Sequence, residues 1–278
     1  MQINLAKSAG FCFGVKRAIN IALETKSGAK VNMLGDIVHN EDIVRQLEKK
    51  GIKKITGLSA GKNKTLLLAA HGTSLKIINR ANELGYKIID ATCPMVKEIH
   101  RIAKDMENKG YRIIVIGDKK HAEVLGISGQ LKNKTIVMDS LKNLPPKKLQ
   151  SIEKAAVVVQ STQNLEKVLK IVGVLKQRIR KLEFFNTICQ PTRIKQKDLK
   201  VLPKANDAVI IIGSKKSANT KRLYEISKSL NKRSYWVAGK KEIKSNWFKN
   251  AKSVGITAGA STPDSTTQEI IEYIRTNY

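Results

Sequence analysis

The sequence predicts an α/β protein with mainly parallel sheets. Short apolar runs of strand length alternate with helical patterns along almost the whole chain, and glycines, prolines and capping residues mark the junctions. With 278 residues and a 41% apolar fraction, the chain can bury a substantial core, which excludes wholesale disorder. The longest apolar runs, such as residues 155–159, are far shorter than a membrane span, so we expect no membrane partner.

Each predicted strand is a short apolar run that ends in a polar or glycine-containing turn. In chain order, these runs cover residues 4–7, 31–38, 65–70, 87–91, 112–117, 135–138, 155–160, 208–212, 234–238 and 253–257. The predicted helices lie between them, opened by caps or prolines and closed by glycines or by the next strand. In chain order, they lie near residues 15–25, between a cap at 39–40 and Gly51, between the HGTS motif and Gly85, and then at 94–109, 123–130, 165–181, 219–230 and 264–276.

The three cysteines indicate an internal repeat. Cys12, Cys93 and Cys189 are 81 and 96 residues apart, and each interval contains about three strands and three helices. We therefore predict one catalytic unit, 1–278, made of three αβα modules at 11–93, 94–191 and 192–278, the last completed by 1–10. Three buried structural cysteines are the alternative interpretation of this spacing.

The positions of the cysteines favour metal chemistry over a disulfide framework. Cys12 lies between two glycines, Cys93 comes directly before Pro94, which starts a predicted helix, and Cys189 precedes Pro191. A helix N-terminus lowers the pKa of a thiol and favours the thiolate that metals bind. The wide spacing does not match the local CxxC pairs of structural zinc sites. A four-iron cluster held by three cysteines would leave one iron open for a substrate oxygen.

Other polar residues collect at the carboxyl ends of predicted strands, where α/β proteins bind their ligands. They include three histidines and several hydroxyl or amide groups: His39, His71, His121, Ser161, Thr162, Ser217, Asn219 and Ser261. Hydroxyls, amides and helix N-termini together suit the oxygens of a phosphate, although each Ser or Thr is also an ordinary helix cap. His100 falls inside a predicted helix and is expected to be an ordinary helical residue.

Two other binding signals are weak. The formal charge of +29 could indicate a nucleic-acid partner, but the excess is shared by all three thirds of the chain and aromatic residues make up only 5%. We therefore expect no specific nucleic-acid partner. The sequence contains no GxGxxG fingerprint, and residues 57–63, GLSAGKN, lack the spacing of a phosphate-binding P-loop.

The ordered motifs resemble one known family. They are GFCFGV, VHN, AHG, DATCP, HAEVLG, NTIC, SKKSANT and TAGAST, and the resemblance covers residues 3–270. Together they are similar to the 4-hydroxy-3-methylbut-2-enyl diphosphate reductase (LytB-like) family, of the non-mevalonate isoprenoid pathway. The resemblance implies three modules with pseudo-threefold symmetry around a central, oxygen-sensitive iron–sulfur cluster.

The resemblance also implies roles for individual residues. Cys12, Cys93 and Cys189 would ligate one 4Fe–4S cluster with one open iron site. Glu123 would donate the proton, assisted by the hydroxyl of Thr162. The residues implied to line the diphosphate pocket are His39, His71, His121, Ser161, Thr162, Ser217, Ala218, Asn219 and Ser261.

The implied reaction is a two-electron reductive dehydroxylation that yields isopentenyl and dimethylallyl diphosphate. Its electrons would come from a ferredoxin or flavodoxin. The N-terminus lacks the pattern of a signal peptide, so we expect a cytoplasmic location. The alternatives are an enzyme similar to quinolinate synthase, which also uses three modules and three cysteines, and a basic RNA-binding protein.

Three positions depart from the family pattern. Ala218 stands where the family usually has a second Ser, so one diphosphate hydroxyl is missing. Ser161 replaces a usual Thr and keeps the hydroxyl, and Ala122 replaces a common Pro after His121. None of these changes removes a predicted catalytic group.

Overall fold

The computed structural model describes residues 1–25, 30–60, 63–141, 149 and 151–278. The rejected P-loop-like segment at 57–63 includes residues 61 and 62, which lie outside these ranges. No helix in the described ranges is long and apolar enough to cross a membrane.

Twelve strands in the described part of the chain form three four-stranded sheets, and every strand pair in them is parallel. The strands are β1 (Gln2–Leu5), β2 (Lys30–Leu34), β3 (Lys53–Ile55), β4 (Lys64–Leu68), β5 (Lys87–Asp90), β6 (Arg112–Ile116), β7 (Ile136–Met138), β8 (Lys154–Val159), β9 (Lys181–Phe184), β10 (Ala208–Ile212), β11 (Ser234–Val237) and β12 (Ser253–Ala258). The strand orders are β3-β2-β4-β5, β7-β6-β8-β9 and β1-β12-β10-β11. The predicted α/β class with three parallel-sheet modules is confirmed.

Nine α-helices lie among the described residues, mostly as connections between parallel strands. They are α1 (Phe13–Glu24), α2 (Glu41–Lys49), α3 (Leu75–Glu83), α4 (Pro94–Asn108), α5 (Ala122–Ser128), α6 (Leu165–Arg178), α7 (Gln190–Val201), α8 (Ala218–Leu230) and α9 (Asp264–Asn277). Two short 3₁₀ helices, Lys240–Glu242 and Ser245–Phe248, precede β12.

The sequence of strand β8 is continuously apolar because both faces of the strand are buried. Ala156 and Val158 pack into a core with residues of α4 and α5, while Ala155, Val157 and Val159 pack against α6 on the other face. Alternate side chains of a strand point to opposite faces, and helices cover both faces of this sheet. All five residues are therefore buried.

Two strands and one α-helix of the described ranges were not predicted: β3, β9 and α7. Strands β3 and β9 are short and lie at sheet edges, where one neighbour is missing and the apolar signal is weak. Helix α7 contains few apolar residues, and its buried positions include Thr192, Lys195 and Gln196. An apolar stripe at helical spacing, which usually predicts a helix, is therefore absent.

The chain divides into two compact units. The first unit comprises Met1–Lys16, His39–Asp42 and Cys189–Tyr278, and the second comprises Arg17–Val38 and Ile43–Ile188. Within the first unit, β1 pairs with β12, with Gln2 opposite Ser253. The N-terminal strand thus belongs to the sheet of the C-terminal third. The single catalytic unit and the three module boundaries remain predictions.

Candidate active site

Cys12 lies in the first unit, in the turn that leads into α1. Its backbone N–H donates to the carbonyl of Ala260 at 3.1 Å, which ties the turn to the segment after β12. Gly10 has a φ of +91°, and a side chain there would collide with the carboxylate of Asp264. The turn therefore needs a glycine just before the cysteine.

Cys189 caps the N-terminus of α7, also in the first unit. Its Sγ lies 3.1 Å from Oγ1 of the buried Thr192, one turn along the helix. Pro191 occupies the first turn, where no backbone donor is needed. The Thr192 contact was not predicted, although the spacing of three residues from a helix cap is a recognisable signal.

Polar groups gather after β10 and β12 in the first unit. Ser217 caps α8, and its hydroxyl accepts from the backbone N–H of Thr220 at 3.3 Å. Ser261 donates from its hydroxyl to the carbonyl of His39 at 3.1 Å, and Asn40 donates to the Ser261 carbonyl at 2.7 Å. The VHN segment and the segment after β12 are thus fixed to each other. Asn40, which was not predicted as a site residue, provides half of that connection.

Asn219 is only 4% exposed, yet neither polar atom of its amide group has a hydrogen-bond partner among the described residues. A buried amide in this state costs free energy, and most buried polar side chains are paired. The neighbouring Ala218 is the first residue of α8 and is also buried. The start of α8 therefore carries an unsatisfied side-chain amide.

In the second unit, His71 and Cys93 follow the adjacent strands β4 and β5. The backbone N–H of Cys93 donates to the carbonyl of Ala70 at 2.9 Å, which places the cysteine beside the His71 segment. Cys93 also caps α4, where Pro94 is the first residue. This is the helix N-terminus expected from the sequence.

His100 is a buried packing residue, which the sequence did not indicate. Gly72 has a φ of +73°, and a Cβ atom there would lie 2.8 Å from Cε1 of His100. Burial lowers the pKa of His100 to about 4, so the ring is neutral. The imidazole therefore packs directly behind the loop that carries His71.

His121 caps α5 and is oriented by it. Its Nδ1 accepts from the backbone N–H of Glu123 at 3.2 Å, so the proton of the neutral ring lies on Nε2. The C-terminal end of α5 is bound to the His71 loop, because Gln130 donates to the carbonyl of Thr73 at 2.7 Å. His71, His121 and Glu123 thus lie on two connected segments.

Glu123 is 3% exposed, and its carboxylate accepts from Ser161 twice, from the backbone N–H at 2.6 Å and from the hydroxyl at 2.8 Å. Burial raises the pKa of Glu123 to about 7, against the two hydrogen bonds from Ser161. Thr162, implied by the resemblance to assist Glu123, instead has its hydroxyl 3.2 Å from the amide of Gln160. The hydroxyl in contact with Glu123 belongs to Ser161.

The predicted site residues are divided between the two compact units. The first unit contains Cys12, Cys189, His39, Ser217, Ala218, Asn219 and Ser261, and the second contains Cys93, His71, His121, Glu123, Ser161 and Thr162. Across the described ranges, no three His, Cys, Asp or Glu side chains are arranged to hold a single metal ion.

Comparison with known proteins gives a consistent result. The profile of the family described as LytB protein matches residues 3–275. A protein of Clostridioides difficile (strain 630) named 4-hydroxy-3-methylbut-2-enyl diphosphate reductase is 37% identical, over 99% of both chains. A protein of Helicobacter pylori (strain P12) with the same name is 40% identical, over 99% of this chain and 100% of its own.

Two solved structures are also similar. One, described as (E)-4-hydroxy-3-methyl-but-2-enyl diphosphate reductase, the terminal enzyme of the non-mevalonate pathway, has a TM-score of 0.72 and 37% identity, and the match covers 99% of this chain and 100% of that one. The other is the E-1-hydroxy-2-methyl-but-2-enyl-4-diphosphate reductase of Plasmodium falciparum, with a TM-score of 0.92 and 29% identity. This second match covers 98% of this chain and 87% of the other.

Proposed function

Because this chain belongs to the LytB protein family, we infer that it catalyses the reaction for which its relatives are named, the reduction of (E)-4-hydroxy-3-methylbut-2-enyl diphosphate. It is an iron–sulfur oxidoreductase and acts as the terminal enzyme of the non-mevalonate pathway. The observation that carries this conclusion is the match over residues 3–275, with relatives 37–40% identical over nearly the whole chain. Nothing supports the two alternatives considered from the sequence.

We propose that the cofactor is one 4Fe–4S cluster held by Cys12, Cys93 and Cys189, with one iron open. The residues fit this group in their chemistry. All three side chains are partly exposed, and each lies at the start of an α-helix, where the positive end of the helix dipole would stabilise the negative charge of a bound cluster. When bound, the cluster supplies electrons and a Lewis-acidic iron.

The diphosphate is proposed to bind to Ser217, Asn219 and Ser261 and to the three histidines His39, His71 and His121. The unsatisfied amide of the buried Asn219 supports this assignment, because a phosphate oxygen would accept from it. Helix α8 begins at the same place, and a helix N-terminus favours bound anions. Ala218 has no polar side-chain atom, so only its backbone can take part in binding the diphosphate.

Glu123 is proposed to deliver the proton that the departing hydroxide needs. With a pKa of about 7, the carboxyl group carries that proton in a large fraction of molecules near neutral pH. Ser161 fixes both carboxylate oxygens and thereby orients the group. Thr162 is proposed to contact the substrate, while the hydroxyl that assists Glu123 belongs to Ser161.

Two electrons per turnover must come from outside the chain's own side chains. We propose a ferredoxin or flavodoxin as the donor, since the sequence lacks a dinucleotide fingerprint. A cytoplasmic location and the absence of a specific nucleic-acid partner remain predictions.

One anaerobic assay tests the function. The reconstituted protein is mixed with (E)-4-hydroxy-3-methylbut-2-enyl diphosphate and reduced methyl viologen, and the products are separated by chromatography. We expect isopentenyl and dimethylallyl diphosphate in proportion to the viologen oxidised, two electrons per product. A protein with full iron content that leaves the substrate intact would refute the assignment.

A further inference from the structure

Lys195 is a buried lysine on α7, and the proposed mechanism assigns it no role. Its side chain is 2% exposed, whereas lysine is among the residues least often buried. Nζ donates to three backbone carbonyls, those of Ser8, Gly10 and Ala258; the last two lie at 2.8 and 3.1 Å. All three hydrogen bonds of the ammonium group are thus used within the first unit.

These carbonyls belong to the segments that surround Cys12. Ser8 and Gly10 precede the cysteine in its turn, and Ala258 ends β12, two residues before the carbonyl that accepts from the Cys12 N–H. Asp198, one turn beyond Lys195 on α7, accepts from both the backbone N–H and the hydroxyl of Ser8, at 3.1 and 2.7 Å. Helix α7 therefore holds the Cys12 turn at two points.

The same helix begins at Cys189, so Lys195 connects two of the proposed ligands. Its three hydrogen-bond acceptors are uncharged, and burying an ammonium group without a compensating charge is costly. Burial lowers the pKa of Lys195 to about 8, and the electrostatic interaction with Cys12 is the largest influence in the opposite direction. Interactions with Asp198, Asp264 and Cys189 act in the same direction as the one with Cys12.

We propose that Lys195 is a positioning residue for the cluster: its hydrogen bonds hold the Cys12 turn against α7, and its positive charge stabilises the reduced, more negative form of the cluster. This inference rests on the proposed ligation by Cys12 and Cys189. It assigns to Lys195 an effect on the midpoint potential, which a residue that only supports the fold would not have. An exposed lysine on the same helix would have little effect, because water and salt screen its charge.

The test compares three variants of the reconstituted holoenzyme with the wild type. Lys195→Gln removes the charge and keeps an amide donor, Lys195→Arg keeps the charge, and Lys197→Gln removes an exposed charge from the same helix. Iron per chain, thermal unfolding of the apo-protein and the midpoint potential of the cluster are measured anaerobically, the last by an EPR-monitored redox titration.

We expect Lys195→Gln to shift the midpoint potential to more negative values, while Lys195→Arg and Lys197→Gln stay close to the wild type. Loss of iron from Lys195→Gln with unchanged unfolding of the apo-protein would also support the proposal, because the ligand turn would then be misplaced in a folded chain. An unchanged potential in Lys195→Gln, or a shift of equal size in Lys197→Gln, would overturn it. So would iron loss accompanied by unfolding, which would mark the residue as merely structural.

The failure of this proposal is distinguishable from failure of the cofactor assignment. A wild-type protein that takes up no iron–sulfur cluster would refute the ligation itself. If the wild-type cluster is present and active, and the cluster of Lys195→Gln has the same midpoint potential as the wild-type cluster, only the role of Lys195 is refuted.

Discussion

Both carboxylate oxygens of Glu123 are held by one residue, Ser161, through its backbone N–H at 2.6 Å and its hydroxyl at 2.8 Å. This pair joins the start of α5 to the end of β8, two segments that follow adjacent strands of one sheet. Because the backbone donor cannot rotate away, the carboxylate has one preferred orientation. A proton on this group is therefore delivered from a fixed position.

Replacing Glu123 by Gln should preserve the fold and the cluster while lowering the turnover number by about 100-fold or more, the scale of a lost general acid. The amide has a similar shape and can still accept from the Ser161 N–H. Iron content and turnover are measured on the same sample. Loss of iron together with activity would mark Glu123 as structural.

The pH dependence of wild-type turnover should reflect the ionisation of Glu123. The pKa of Glu123 is raised to about 7, so the proton-donating form dominates below pH 7 and is lost above it. We expect turnover to fall as the pH rises through about 7, and this alkaline limb should be absent from the residual activity of Glu123→Gln. A profile that is flat from pH 6 to 9 in the wild type would contradict the assignment.

Ser161→Ala should lower turnover by roughly 10-fold, since a hydrogen bond to a charged group is worth about 1.5–3 kcal/mol. It should also move the alkaline limb to higher pH, because the lost bond stabilises the ionised carboxylate. Ser161→Thr keeps the hydroxyl and serves as the matched control. A larger loss of turnover in Thr162→Ala than in Ser161→Ala would return the assisting role to Thr162.

Each of the substitutions Cys12→Ser, Cys93→Ser and Cys189→Ser should abolish most cluster absorbance and activity, because a serine hydroxyl is a poor replacement for a thiolate ligand. Iron analysis and visible absorption after anaerobic reconstitution measure the result. Full iron content and normal turnover in any one of the three would remove that cysteine from the ligand set.

Asn219→Ala should raise the Michaelis constant by roughly 10-fold, the effect of one lost charge-assisted hydrogen bond. Asn219→Asp should raise it further, because a carboxylate repels the diphosphate. Asn277→Ala, at an exposed helix end, provides the control. Steady-state kinetics under anaerobic conditions separate the two parameters, and an unchanged Michaelis constant in Asn219→Asp would exclude the amide from the diphosphate site.

Ala218→Ser should lower the Michaelis constant several-fold with little change in turnover, because a diphosphate is bound equally in the ground and transition states. Two nearby groups could already compensate. The buried Thr220 hydroxyl has no hydrogen-bond partner among the described residues, and Lys216 forms an ion pair with Glu41 at 3.3 Å. Ala218→Gly, which adds no hydroxyl, is the control. Lower turnover with an intact cluster in Ala218→Ser would place residue 218 outside the pocket.

The sequence predicted the fold class and most elements because they depend on local patterns. Parallel strands buried on both faces read as continuous apolar runs, as residues 155–159 and 208–212 do. Pro94 and the glycines at 85 and 110 mark helix ends through backbone geometry alone. Helix α7 was not predicted because its buried face is largely polar. The buried Lys195 of that face finds its hydrogen-bond partners in the Cys12 turn, which is distant in the sequence.

By itself, the sequence determined that Cys12, Cys93, three of the four histidines and the hydroxyl groups follow strands, since strand ends and helix starts are local features. Only the tertiary structure decided which of two adjacent hydroxyls meets Glu123. Successive residues point in different directions, and the backbone at the end of β8 turns Ser161 toward the carboxylate and Thr162 toward Gln160. The roles of His100 and Lys195 were likewise decided by packing, because a buried side chain acquires its partners from segments distant in the chain: the Gly72 loop for His100 and the Cys12 turn for Lys195.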